Sequence, residues 1–287
     1  MTKTFEPSRP IWCAGCGDFG VLQALVNARE SLNIAAHDSL VVAGIGCSGS
    51  LQNNLSCYGY HTLHGRVLPS VTGAKLANPD LTVIGVGGDG DGYAIGGGHL
   101  LHTFKRNPSV TYIVMNNATY GLTKGQASPT SPAGYHQNVE EDFDPVMMGM
   151  SIPGSSFIAR GYTGQPDQLL ALTIAALKHA ESGKGFAYLE VLSPCVTYND
   201  TYRSWRTEVY DVQEDGDYDP TNKGAAFTRM LELRDDGRLP TGLLFTSNRD
   251  ALEVGALNHD FPPAALQDIS LSALRAQHEQ TLKSFMR

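Results

Sequence analysis

Membrane spans, basic runs and paired cysteines are all missing from this chain. No stretch approaches the ~20 consecutive apolar residues that cross a bilayer. Basic residues number 21 against 29 acidic, a net charge of −8, and no cluster of lysine and arginine marks a nucleic-acid footprint. Charged residues are only 17% of the chain and hydrophobic ones 41%, the balance of a globular protein with part of its surface covered by a partner. Five cysteines are too few, and odd in number, for a disulfide framework at this length. Met1 to Pro10 is polar and contains proline, unlike a secretory leader. The expectation is a cytoplasmic protein, in which Cys-x-x-Cys means a metal, a cluster or a redox dithiol. P-loops, G-x-S-x-G elbows, internal repeats and low-complexity tracts are also missing.

Glycine is what the chain has in excess. Of its 31 copies, 17 cluster between residues 14 and 98, where backbone must approach something closely. Around them, helix-like and strand-like segments alternate from residue 17 to about 192. Apolar runs at Ser39–Gly46, Leu81–Gly87, Val110–Met115, Phe157–Arg160 and Phe186–Leu192 read as strands. Helical spacing predicts helices over Phe19–Leu32, Leu68–Ala77, Tyr93–Phe104 and Leu169–Ala180. Strands apolar throughout and separated by helices predict an α/β fold, a parallel sheet covered on both faces. The loop 118–142 is polar and either closes over a site or simply connects. After 205 the pattern weakens to an appended arm with helices near 223–234 and 263–285.

Ligands of such sheets bind beyond the carboxyl ends of the strands. The candidate chemistry collects there: Gly46-Cys47-Ser48, Gly88-Asp89-Gly90, Asn116-Asn117 and Ser193-Pro194-Cys195. Three overlapping G-x-G-x-x-G matches occur, at Gly15, Gly44 and Gly85, which shows how little that pattern specifies alone. The third follows a strand, yet Asp89 would repel a pyrophosphate unless a divalent cation lay between them. Asp89 and Asn117, with the Thr119 carbonyl, form an oxygen set suited to Mg²⁺ against a diphosphate.

Cys13 and Cys16 need two further thiolates, and Cys47 and Cys195 fall at strand ends on the same side. Together they suit one iron–sulfur cluster. Structural zinc is the rival, although zinc ligands usually come as two close pairs. Cys57 is left over as an ordinary buried thiol. The His64-Gly65-Arg66 segment is a site candidate, because imidazole or guanidinium there can meet phosphate or carboxylate. Lys124 is a second cationic candidate.

These residues resemble a known family. WCAGCGDFG (12–20), GIGCSGS (44–50), HGR (64–66), TGAKLANPDLTVIGVGGDGDGYAIGGGH (72–99), MNNATYGLTKGQASPTS (115–131) and SPCVTYN (193–199) are similar to the beta subunit of 2-oxoacid:ferredoxin oxidoreductases, most like the 2-oxoglutarate type. The resemblance covers roughly the first 200 residues. It implies a thiamine diphosphate- and 4Fe–4S-binding pyrophosphate domain over 1–204, followed by an extension over 205–287 that packs on the core or on a partner subunit. Asp89, Asn117 and the Thr119 carbonyl would hold Mg²⁺ and the diphosphate. Cofactor contacts would come from Ile45, Gly46, Cys47, Ser48, His64, Gly65, Gly90, Asp91, Gly121 and Leu122. Cys13, Cys16, Cys47 and Cys195 would ligate one 4Fe–4S cluster, and His64 and Lys124 would serve catalysis.

The implied reaction is coenzyme A-dependent oxidative decarboxylation of a 2-oxoacid, 2-oxoglutarate first and pyruvate as runner-up, passing electrons to ferredoxin. It is reversible toward CO₂ fixation. The pyrimidine-binding half belongs to a separate alpha subunit, in an α2β2 assembly. A lysine near Cys47 that some members use for the distal carboxylate is replaced by Ser50 and Leu51. Readings from other classes are a zinc-stabilised non-catalytic subunit and a non-redox thiamine enzyme.

Overall fold

The computed structural model describes residues 5–256 and 263–285. Eight strands form one sheet in the order β2-β1-β3-β4-β6-β5-β8-β7. They are β1 (Ser39–Ala43), β2 (Tyr58–His61), β3 (Thr82–Gly88), β4 (Thr111–Asn116), β5 (Phe157–Tyr162), β6 (Ala187–Leu192), β7 (Val209–Asp211) and β8 (Leu239–Thr246). The first six run parallel. Every residue of β4, β5 and β6 is buried, which is why these runs are apolar throughout and do not alternate.

Successive side chains point to opposite faces, so the strands feed two cores. On one face Val41, Ile84, Ile113, Ala159 and Leu189 pack beneath α1 (Asp18–Ser31) and α5 (Pro166–Glu181), which also touch each other. On the other, Val42, Val83, Tyr112, Ile158 and Tyr188 lie under α2 (Val67–Ala77), α3 (Gly97–Arg106), α4 (Pro145–Ser151) and α7 (Lys223–Asp235). Phe104 stacks edge-on against Phe186 and Tyr188 there, with centroids 5.1 and 5.2 Å away.

All five strands expected from the sequence form. Three more appear: β2 and β8, where Gly or Pro masked the pattern, and β7, which is only three residues long. β2, of sequence Tyr-Gly-Tyr-His, is an exposed edge. β8 carries Pro240 and Gly242, residues that usually end strands, yet it pairs antiparallel with β5 through a bulge at Ile158/Ala159. β7 then pairs parallel with β8. Residues 209–246 thereby join the main sheet, and Val212, Met230, Leu233, Leu244 and Phe245 enter its second core. Two short helices, α6 (Tyr202–Glu208) and α8 (Leu252–Ala256), flank this part, and a last one, α9 (Leu271–Phe285), buries none of its residues. It starts later than the expected 263.

The helix expected over 93–104 is split. Gly90–Ile95 forms a π-helical turn before α3 begins at Gly97. Its wide bond runs from Gly96 N to Asp91 O at 3.1 Å. A side chain at Gly96 would strike that carbonyl, so glycine permits the wider turn. Such turns concentrate at functional sites.

Candidate active site

Strands β1, β3, β4 and β6 are adjacent in the sheet, so the four motif-bearing carboxyl ends stand side by side. A cleft of about 130 Å³ opens above them. Ile45, Gly46, Cys47 and Ser48 form one wall and Asp89, Gly90 and Asp91 the floor, with Asn117, Thr119, Gly121 and Leu122 opposite and His64 at the side. Gly46 holds φ +106°, a conformation an L side chain resists, and this turns the chain from β1 into the Cys47 segment.

Asp89 is 2% exposed. Burial pushes its carboxyl up to about 6, against hydroxyl bonds from Ser128 and Thr130. No lysine or arginine pairs with it among the described residues. A buried carboxylate without a counter-charge is costly, and a divalent cation would relieve that cost. Asn117 Oδ1 accepts from Thr119 N at 3.1 Å and the Thr119 carbonyl accepts from Gly121 N at 3.1 Å. Each oxygen keeps a second lone pair, so the hard donor set fits Mg²⁺.

Asp91 works differently. Its Oδ1 accepts from Ile45 N (3.0 Å), from Gly65 N (2.9 Å) and from His64 Nδ1 (2.9 Å). One buried oxygen therefore ties two loops to the floor. With Nδ1 carrying the proton, His64 offers Nε2 as the free nitrogen. Ser48 Oγ and Asp91 Oδ2 are buried without a hydrogen-bond partner, an arrangement that leaves polar capacity for a ligand.

Of the soft donors, Cys47 lines the same cleft. Trp12 Nε1 donates to the Cys47 carbonyl at 2.8 Å, and Gly17 N donates to the Pro194 carbonyl at 3.0 Å. The Cys13–Cys16 turn is thus docked on both the β1 and β6 ends. Burial raises the Cys16 thiol, with further contributions from Asp18, Cys47 and Cys195. Burial pushes Cys47 up to about 11, helped by Asp18, Cys195 and Cys13. Cys13, Cys16, Cys47 and Cys195 therefore share one electrostatic neighbourhood. Cys57, raised mainly by burial and moderated by Arg29, stands outside it.

Among the described residues no three His, Cys, Asp or Glu side chains converge tightly enough for a single metal ion. A four-iron cluster takes each thiolate on a separate iron, so it does not require the side chains to converge on one point. The buried Cys16 and Cys47 thiols also need compensating positive charge before they become thiolate ligands. The donor set fits an iron–sulfur cluster.

Five expected residues are not among those lining the cleft: Cys13, Cys16, Cys195, Gly65 and Lys124. Gly65 contributes its amide to Asp91 beneath it. Lys124 is exposed, in the left-handed region at φ +79°, next to Thr123 at the rim. Other residues belong to the site without having been singled out in the sequence. Asp18 is 2% exposed, accepts from Ser193 Oγ at 2.7 Å and is pushed up to about 6 by burial. Ser128 and Thr130 reach Asp89 from the loop after β4. Their signal was a polar loop of hydroxyls, which looks like any connection until its path is known. Tyr120 covers Gly90, where a side chain would collide with its ring.

The family model for the thiamine pyrophosphate enzyme C-terminal TPP binding domain matches residues 44–191. The family model for the C-terminal part of the pyruvate ferredoxin oxidoreductase beta subunit matches residues 195–255. A 2-oxoacid:ferredoxin oxidoreductase subunit beta of Saccharolobus solfataricus is 44% identical over 82% of this chain and 81% of its own length. A 2-oxoglutarate synthase subunit KorB of Methanocaldococcus jannaschii is 41% identical over 66% of this chain and 70% of its own. A solved 2-oxoglutarate:ferredoxin oxidoreductase from Magnetococcus marinus, with 2-oxoglutarate, coenzyme A and succinyl-CoA bound, superposes with a TM-score of 0.79 at 36% identity, covering 87% of this chain and 86% of that one. Fold and cleft are those of the diphosphate-binding domain of a thiamine diphosphate enzyme. The chain belongs to the beta subunits of the 2-oxoacid:ferredoxin oxidoreductases.

Proposed function

We propose that this beta subunit takes part in the coenzyme A-dependent oxidative decarboxylation of 2-oxoglutarate, with electrons leaving to ferredoxin. The observation that supports this reading is a buried Asp89 without a counter-charge in a cleft that Cys47 also lines, with Cys13, Cys16 and Cys195 in the electrostatic neighbourhood of Cys47 and Cys16. Asp89, Asn117 and the Thr119 carbonyl would hold Mg²⁺ against the diphosphate, and Cys13, Cys16, Cys47 and Cys195 would hold a 4Fe–4S cluster. When bound, thiamine diphosphate supplies the electron sink for decarboxylation and the cluster a one-electron path outward.

The chain's own residues position these groups and hold protons. Ile45, Gly46 and Ser48 wall the diphosphate, and Gly90 and Asp91 form its floor. Gly65 keeps Asp91 in place through its amide. His64 presents Nε2 as an acceptor or donor to the reacting substrate, while Lys124, beside the Gly121–Leu122 wall, offers charge at the rim to a substrate carboxylate. About 130 Å³ is smaller than the roughly 300–1,000 Å³ of a complete small-molecule site. That shortfall supports closure of the cleft by an alpha subunit, which supplies the remaining contacts in an α2β2 enzyme. None of the described helices is long and apolar enough to cross a membrane, and free cysteines throughout support a reducing cytoplasmic setting.

Anaerobic purification with co-purifying partners, followed by iron, magnesium and thiamine analysis, tests the reading. A brown protein that reduces ferredoxin with 2-oxoglutarate and coenzyme A is expected. A colourless zinc-loaded protein would refute the redox assignment, and faster turnover of pyruvate would refute the substrate.

A further inference from the structure

The loop between β4 and α4 folds back over the ends of β3 and β4, and its hydroxyls meet Asp89. Ser128 Oγ donates to Asp89 Oδ2 at 2.5 Å. Thr130 Oγ1 lies 2.8 Å from that same oxygen and 2.8 Å from Asn116 Oδ1. The turn is held rigidly: Ser131, fully buried, accepts from Ser128 N at 2.8 Å and donates to the Ala118 carbonyl at 2.7 Å. Asn116 is itself fixed, its Nδ2 donating to the buried Glu190 at 2.8 Å and its Oδ1 accepting from Ala118 N at 2.9 Å, so the single hydrogen of the Thr130 hydroxyl is shared between two fixed acceptors, Asp89 Oδ2 and Asn116 Oδ1. Both hydroxyls sit on Oδ2, while the backbone amides of Asp89 and Gly90 also donate to the carboxyl, so Oδ1 carries no side-chain donor.

A carboxylate meant for a cation must be oriented without being neutralised. Lysine or arginine would orient it but compete with the cation. Hydroxyl donors fix the group and leave its full charge, as the outer partners of metal-ligating side chains do. We propose that Ser128 and Thr130 are positioning residues that clamp Asp89 Oδ2, so that Oδ1 is presented to the cofactor's divalent cation in one fixed direction. This rests on Asp89 being a cation ligand. The 118–142 loop thereby acts as part of the cation site from behind.

The assembled enzyme, purified with its alpha partner and stripped by chelator, is titrated with Mg²⁺ at saturating thiamine diphosphate while tryptophan fluorescence is followed. Thr130→Val and Ser128→Ala are each expected to weaken Mg²⁺ binding about 10–100-fold, the usual cost of losing such a partner. Thr130→Ser, which keeps the hydroxyl, should bind like the parent and keep the parent's melting temperature when stripped. Asp89→Asn is the reference. Parent-like binding by both Thr130→Val and Ser128→Ala, with Asp89→Asn impaired, overturns the clamp. Equal weakness of Thr130→Ser and Thr130→Val also overturns it, since packing would then be the cause. Parent-like binding by Asp89→Asn refutes the cation-ligand reading itself. Should Thr130→Val fail to fold, Ser128→Ala alone decides.

Discussion

Glu190 Oε1 accepts from Asn116 Nδ2 at 2.8 Å, one residue before the cleft-lining Asn117. The other oxygen of Glu190 takes Arg160 Nε at 2.6 Å, and Arg160 in turn reaches Asp144 Oδ1 at 3.0 Å. Tyr93 adds a hydroxyl to Oε1 at 3.1 Å. The amide orientation on one side of the sheet is thus set by an ion pair buried within it, Glu190 and Arg160 being 0% and 5% exposed.

Removing one partner of that pair strands the other. Glu190→Gln should destabilise the protein by about 3 kcal/mol, read as a lower urea midpoint. Asp144 remains to partner Arg160, so the loss should be smaller than for Arg160→Met, which leaves Glu190 buried without any cation. An unchanged midpoint in Glu190→Gln would show that the carboxylate is not needed charged.

The thiols separate into two groups. Cys13→Ser should lose the visible absorption and most of the iron, and with them ferredoxin reduction. Cys57→Ser should keep both, because Cys57 shares no coupling with the other four. Iron analysis of the two variants checks this; equal iron in both would defeat the assignment of Cys13.

Gly90 has no room for a side chain under the Tyr120 ring. Gly90→Ala should cost about 1–3 kcal/mol from overpacking and weaken thiamine diphosphate binding. The double variant Gly90→Ala/Tyr120→Ala should recover most of the stability in thermal melts.

His179 is buried beside Ser156, 3.0 Å from its hydroxyl. Burial first, then the Lys184 charge, lowers it from 6.5 to about 4. The unfolded chain therefore binds a proton that the folded one refuses between these values. Stability from this residue is complete above pH 6.5 and drains away as pH falls toward 4, by up to about 3 kcal/mol. Asp18 and Asp89, raised by burial, act in the opposite sense over the acid range. The clean measurement is accordingly the difference between His179→Gln and the parent: it should shrink on acidification, and a pH-independent difference would exclude the histidine as its source.

Much of the site was legible in the chain because its chemistry travels in short motifs. Gly88-Asp89-Gly90, Asn116-Asn117 and Cys13-x-x-Cys16 each declare a donor type, and runs such as Val110–Met115 declare buried strands. Ser128 and Thr130 were not legible, since a hydroxyl's role depends on which oxygen the loop carries it to. β8 was hidden because Pro240 and Gly242 break the usual pattern, and only pairing with β5 shows that the ladder tolerates them.

By itself the sequence determined the donor chemistry, the parallel sheet and the family resemblance, since periodicity and residue type are local properties. Only the tertiary structure decided that β1, β3, β4 and β6 lie adjacent, that Asp91 rather than Asp89 governs His64, and that the chain after 205 completes the sheet. Those facts depend on strand order and on contacts between residues far apart in the chain, which the packing of two hydrophobic cores settles collectively.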